Sequence, residues 1–96
     1  MSLSAADLDD LSRSIADRLY IQVASWHLYL GDAGLAQTLA QECAARLDQG
    51  AEVSARQSLE AVQVSIGGGA TRLPLARLLP AAQLRDLEEL LEPYRR

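Results

Sequence analysis

Apolar residues recur every three or four positions through the first third of the chain, which predicts an amphipathic helix. The series comprises Leu8, Leu11, Ile15, Leu19, Val23, Trp26 and Leu30. Ser4 stands where an N-cap would accept a hydrogen bond from the Asp7 amide, and Gly31 would suit a left-handed end. The run Tyr-Ile-Gln-Val at 20–23 also fits a strand. The pattern therefore leaves open whether residues 4–30 form one helix or two.

A second helix is predicted from an N-cap at Asp32 to Gln49, with Gly50 as its end. Its spine repeats at every fourth position and comprises Leu35, Leu39, Cys43 and Leu47. Beside it runs a stripe of small residues, Ala36, Ala40 and Ala44, which would allow another helix to approach closely. The following segment, 51–58, is either a short helix or a loop.

The apolar period changes to two at Val62, Val64 and Ile66, which is typical of a half-buried strand. Three glycines, 67–69, and a second extended run, 70–73, complete an antiparallel hairpin. Pro80 suits the start of a last helix that Pro93 ends. We expect one α+β domain over residues 1–96, dominated by helices in the order α–α–β–β–α, with the small hairpin packed on the helices.

Composition narrows the classes of partner. The 96 residues carry a net charge of −4, and every basic residue is Arg. The arginines are dispersed except for the terminal pair Arg95 and Arg96, which is too short for a polybasic tail. This balance disfavours nucleic acid and anionic membrane as partners, since both require a concentrated basic face. One cysteine allows neither an internal disulfide nor a cysteine-rich zinc site, and we expect no cofactor. The acidic N-terminal segment and the absence of a long apolar run predict a cytoplasmic protein.

Two segments carry a resemblance to a known family. The segment 19–33, with Trp-His-Leu-Tyr-Leu at its centre, is the more specific, and Ile-Gly-Gly-Gly at 66–69 with the leucine–proline run at 73–80 is the weaker. Together they resemble a family of small cyanobacterial proteins of unknown function. The resemblance implies an intracellular cyanobacterial protein, with no assigned reaction and no catalytic or binding residues to transfer.

The candidate ligand-binding residues are Arg13, Tyr20 and His27, which would share one stripe of a continuous helix at steps of seven. A guanidinium, a phenol and an imidazole together could bind a carboxylate or a phosphate. The simpler interpretation places Tyr20 and His27 at the edge of the core. Trp26 and Tyr29 could likewise form a ligand platform, although Trp26 on the main apolar face favours core packing.

Other reactive groups are few. The glycines at 67–69 lack the lysine and the following helix of a phosphate-binding loop, and Cys43 reads as a small core residue. We therefore expect a non-enzymatic interaction or accessory protein that self-associates, as a homodimer in the simplest case, or binds a protein partner. The alternative is a small-ligand-binding or catalytic domain centred on Arg13, Tyr20 and His27.

Overall fold

The structure, a computed structural model, describes residues 3–23, 26–66 and 71–94. Helices dominate it and two antiparallel hairpins complete it, which confirms the predicted α+β class. In chain order the elements are α1 (Ala5–Arg18), β1 (Tyr20–Val23), β2 (Trp26–Tyr29), α2 (Leu30–Ala33), α3 (Ala36–Arg46), α4 (Ala51–Ala61), β3 (Gln63–Ile66), β4 (Thr71–Pro74) and α5 (Ala82–Leu91). Short 3-10 turns follow α3, β4 and α5 at Leu47–Gln49, Leu75–Arg77 and Glu92–Tyr94.

Helix α1 begins as predicted and ends earlier. Ser4 accepts a hydrogen bond from the Asp7 amide at 3.1 Å, as an N-cap does. The helix stops at Arg18, and Leu19 leaves it with extended dihedrals. The predicted continuation to Leu30 is wrong, because the segment beyond Leu19 is rich in β-branched and aromatic residues and folds into the β1–β2 hairpin instead.

The second predicted helix is divided. Asp32 is not an N-cap but lies within the short α2, and Gly34 (φ +73°), rather than Gly31, provides the left-handed end. Helix α3 then runs to Arg46 and continues as a 3-10 turn to Gln49. Gly50 follows with φ +101°, so the chain does turn at the glycine that was predicted to end the helix.

The segment after Gly50 is helical, which resolves the alternatives for 51–58 in favour of helix α4. The predicted order α–α–β–β–α therefore lacks the β1–β2 hairpin and two helices, α2 and α4. Strands β3 and β4 pair in antiparallel register, with Val64 opposite Leu73, as the change of period predicted. The glycines at 67–69 lie outside the described residues.

The core is built mainly from leucines on the facing sides of α1, α3, α4 and α5. Leu11, Ile15, Leu39 and Leu87 are fully buried. Of the small-residue stripe, Ala36 and Ala40 are also buried in this core. These alanines therefore serve packing inside the chain and are not available to a second molecule. The side chain of Trp26 lies outside the described residues, so its predicted core position stays a prediction.

Candidate functional site

The β1–β2 hairpin brings together two of the three predicted site residues. Tyr20 lies on β1 and His27 on β2, and their ring centroids are 4.9 Å apart at an angle of 33°. Arg13 lies on α1, where its guanidinium is 3.0 Å from the Asp9 carboxylate and its side chain is 75% exposed. The single helical stripe that was to align the three residues does not exist, because the chain leaves α1 at Leu19.

A third ring joins the pair. Tyr29 lies directly opposite Tyr20 across the hairpin, and their rings meet edge to face with centroids 5.7 Å apart. The register also places Gln22 opposite His27, so these four residues share one face of the hairpin. Aromatic pairs of this geometry stabilise a two-stranded ribbon and fix its register.

The other face of the hairpin points partly into the core. Ile21 on β1 is 6% exposed, whereas its cross-strand partner Leu28 on β2 is 41% exposed. Tyr29 is 46% exposed, so two adjacent residues of β2 expose large apolar side chains. Leu28 is not among the residues that the sequence pattern singled out as a candidate site. Its signal was the long uncharged segment 19–31, which has no Asp, Glu, Lys or Arg in a chain with 23% charged residues.

The outer edge of β1 is covered by the rest of the chain. The Tyr20 amide donates to Gln83 Oε1 at 2.9 Å, and the Gln22 amide donates to the Leu78 carbonyl at 2.8 Å. Gln83 is itself 5% exposed and donates to Asp86 Oδ2 at 3.0 Å, which holds the acceptor in place. Strand β1 therefore presents no free main-chain donor at positions 20 and 22.

The outer edge of β2 differs. Since the Leu30 amide donates to the Leu19 carbonyl at 2.9 Å, the alternation of an antiparallel ladder turns the main-chain groups of His27 and Tyr29 away from β1. In the part of the chain that the structure describes, the outward amide and carbonyl of His27 and the outward amide of Tyr29 make no hydrogen bond, whereas Tyr29 is the N-cap of α2 and its carbonyl faces the first turn of that helix. We call the side chains of Tyr20, His27, Leu28 and Tyr29, together with this open edge of β2, the hairpin surface.

Cys43 does not belong to the hairpin surface. Cys43 is fully buried in the core, and burial raises the pKa of its thiol to about 11, although the nearby Ser58 and Ser54 hydroxyls oppose the shift. A protonated, buried thiol is a poor nucleophile. Among residues 3–23, 26–66 and 71–94, no group of three or more His, Cys, Asp or Glu side chains is placed to hold a metal ion.

A groove lies on another part of the molecule. It has a volume of about 220 Å³ and runs between α4 and the segment that leads into α5. Its lining comprises Arg56, Leu59, Glu60, Ala76, Leu79, Pro80, Ala81 and Leu84. None of the predicted site residues is among them, so the aromatic cluster and the groove are separate features.

The chain is thus a small, helix-dominated α+β protein whose most distinctive surface is an uncharged hairpin with one open edge. It belongs to DUF3181, a family of proteins of unknown function, whose pattern matches residues 8–94. It is 29% identical over 96 residues to the thylakoid-associated protein slr0729 of Synechocystis, an alignment that covers 98% of this chain and 95% of that relative. The family resemblance drawn from the sequence is confirmed. No solved structure matches this chain.

The described helices were also compared with the dimensions of a bilayer. None of them combines the length and the apolar character that a membrane-spanning helix requires.

Proposed function

We propose that this protein is a non-enzymatic interaction protein that self-associates through the open edge of β2 and binds a protein partner at the thylakoid through the aromatic face of the same hairpin, which Tyr20, His27 and Tyr29 form. The observation that carries the proposal is the open edge of β2, beside which Leu28 and Tyr29 expose 41% and 46% of their side chains. Exposed apolar residues beside unpaired strand groups are typical of sites where proteins add a strand.

The thylakoid enters this proposal through the Synechocystis relative, whose name describes it as thylakoid-associated. A net charge of −4 and dispersed arginines are poorly suited to an anionic lipid surface. We therefore assign the attraction to a protein of the membrane rather than to its lipids. A location on the cytoplasmic face of the thylakoid is compatible with the cytoplasmic protein that the sequence predicted.

The test compares the binding of purified protein to cyanobacterial thylakoid membranes by sedimentation. We expect the double variant Leu28→Ser/Tyr29→Ser to lose most of the sedimenting fraction, because it removes the exposed apolar area without entering the core. Gln41→Ser, at an exposed position on α3, is the matched control and should sediment like the wild type. Equal sedimentation of the double variant would contradict the proposal.

The same assay separates a protein partner from lipid. Membranes treated with protease keep their lipids and lose their exposed protein segments. We expect such membranes, and vesicles made from extracted thylakoid lipid, to retain little of the protein. Undiminished binding to lipid vesicles would assign the attraction to lipid and overturn the protein partner.

The second candidate function is a small-ligand site, which the contact between Tyr20 and His27 favours. A planar anion could stack on these rings, and Arg13 would have to leave Asp9 to reach it. Mass spectrometry of the protein purified from its native cell tests this function. A small molecule that accompanies the wild type and is lost from folded His27→Ala would replace the interaction proposal with a binding site.

A further inference from the structure

The two edges of the β1–β2 hairpin are treated differently by the fold. Gln83 and Leu78 accept from the outward amides of β1, whereas the outward amides of His27 and Tyr29 on β2 have no acceptor among the described residues. Proteins usually protect such an edge with a lysine, a proline, an inward charge or a covering loop. The uncharged segment 19–31 contains no charge or proline that would do so.

We propose that the open edge of β2 pairs with β2 of a second copy of this chain, antiparallel and about a two-fold axis at Leu28. The inference rests on the self-association proposed above and specifies its geometry. The two hairpins would then form one continuous sheet of four strands, in the order β1–β2–β2–β1. Both outer edges of that sheet are the β1 edges that Gln83 and Leu78 already cover, so no open edge would remain.

The register follows from the ladder. Only residues with outward main-chain groups can form hydrogen-bonded pairs, and in β2 these are His27 and Tyr29. An axis at Leu28 places His27 of each copy opposite Tyr29 of the other, so each outward residue forms one hydrogen-bonded pair. The two pairs comprise about four main-chain hydrogen bonds, in two of which the Tyr29 carbonyl accepts a second donor besides the first turn of α2. An axis at either of the two outward residues would pair it with itself and leave the other beyond the end of the strand.

The side chains agree with this register. Leu28 of the two copies would form a pair that is not hydrogen-bonded, in which side chains approach most closely, at a Cα separation of about 4.5 Å. This contact would cover the exposed leucine on one face. On the opposite face, Tyr29 would extend the aromatic row of Tyr20 and His27 toward the second copy.

A second copy of the chain fits this edge because antiparallel pairing makes the edge complementary to itself. The outward groups are placed symmetrically about Leu28, so the same strand satisfies both partners. Each copy carries a net charge of −4, and the uncharged segment 19–31 lets the hairpins meet without placing like charges in contact. Two-fold dimers are also the commonest closed assemblies.

The test places charges on the proposed axis. Leu28→Glu and Leu28→Lys each bring two like charges together across the two-fold, and at 41% exposure neither substitution enters the core. In multi-angle light scattering we expect the wild type at twice the 10.4 kDa of one chain and each variant at the single-chain mass. An equimolar mixture of the two variants should return to twice that mass, since opposite charges then meet.

Variants at Ala81 are the control for this test. Ala81→Glu and Ala81→Lys introduce the same charges at an exposed position in the groove and should remain dimeric. A wild type that stays monomeric at high concentration would overturn both this inference and the proposed self-association. Dimeric Leu28 variants, or monomeric ones that do not recombine when mixed, would overturn the edge pairing alone. Circular dichroism and a thermal melt establish that each variant is folded.

A second pair of variants tests the main chain rather than the side chain. The His27 amide points away from β1, so His27→Pro removes a donor that only the second copy would use. His27→Ala removes the same imidazole and keeps the amide. We expect His27→Pro to dissociate the dimer at least tenfold more readily than His27→Ala. Equal dissociation of the two variants would contradict main-chain pairing at this edge.

Discussion

Gly31 lies in α2, directly after β2, and packs against Ala16 of helix α1, so its replacement by alanine tests how closely the two helices approach. A Cβ at Gly31 would lie 2.9 Å from Ala16 Cβ, 3.2 Å from Ala16 O and 3.4 Å from Ala16 Cα. Carbon atoms prefer separations of about 3.5–4.0 Å, so α2 or α1 would have to move. Two of these three neighbours are main-chain atoms, which no change of rotamer can displace.

The expected magnitude is the difference between two effects. Overpacking of a close contact costs about 1–3 kcal/mol. Replacing glycine by alanine returns about 0.4–1 kcal/mol, because the unfolded chain loses conformational freedom. We therefore expect Gly31→Ala to lower the free energy of unfolding by about 1–2 kcal/mol. For a domain of this size the melting temperature would fall by roughly 4–8 °C for each kcal/mol.

A double-mutant cycle with Ala16→Gly isolates the contact. Ala16→Gly alone should cost about 0.5–1 kcal/mol, because glycine weakens a helix interior. It also removes the nearest of the three atoms, so the double variant should be more stable than the sum of the single changes by about 1 kcal/mol. Urea unfolding followed by circular dichroism measures all four proteins. Strict additivity, or a Gly31→Ala protein as stable as the wild type, would refute the close approach.

Three further predictions concern the buried polar groups. Because burial raises the pKa of the Cys43 thiol from 9.0 to about 11, the protonated thiol stabilises the folded state. This stabilisation is fully present below pH 9 and is lost as the pH rises to 11. Unfolding by urea should show a loss of about 2–3 kcal/mol over this range that Cys43→Ala lacks, and a thiol alkylated quickly at pH 8 would contradict the burial. Ser54 Oγ donates to the Cys43 carbonyl at 2.7 Å, whereas the buried Ser58 Oγ makes no hydrogen bond of normal geometry among the described residues. Ser54→Ala should therefore lower the free energy of unfolding by about 1–2 kcal/mol, and Ser58→Ala should lower it by less than about 0.5 kcal/mol. The reverse order in thermal melts would contradict this difference. Gln83→Leu should cost about 1–3 kcal/mol because it leaves the Tyr20 amide without its acceptor. Gln83→Glu keeps that acceptor but sets a buried carboxylate against Asp86, to which Gln83 Nε2 donates at 3.0 Å, so it should cost at least as much in the same melts at neutral pH.

The sequence predicted best where local signals and tertiary packing agree. Ser4 caps α1 because a hydroxyl three residues before an amide is sufficient for the contact. Leu39 and Cys43 are buried because their four-residue spacing admits one helix face only. The period of two around Val64 predicted β3 correctly, because alternate residues lie on one face of a strand.

The first hairpin was missed because residues 19–30 fit two periods at once. Leu19 and Leu30 continue the helical spacing, whereas the intervening Tyr, Ile, Val and Trp residues favour a strand. The deciding contribution is not local. The acceptor for the Tyr20 amide comes from Gln83, 63 residues later in the chain, and no pattern within the hairpin sequence predicts this contact.

The candidate site illustrates how a wrong element can still group the right residues. Tyr20 and His27 are seven apart, which places them on one face of a helix, and the hairpin also places them on one face because 20 pairs with 29 and 22 with 27. Arg13 shares only the helical relation, and it was lost from the group when the helix ended at Arg18.

The β1–β2 hairpin exposes apolar side chains and a strand edge that carries no charge. Leu28 and Tyr29 remain 41% and 46% exposed after packing within their own chain, and the strand edge beside them can pair with another molecule. The β1 edge, in contrast, is protected by the buried Gln83, which accepts from the Tyr20 amide and donates to Asp86. The contrast between the two edges of this hairpin, whose strands have four residues each, is the reason for the proposed pairing of β2 with a second copy, which would satisfy that edge with groups already present in the sequence.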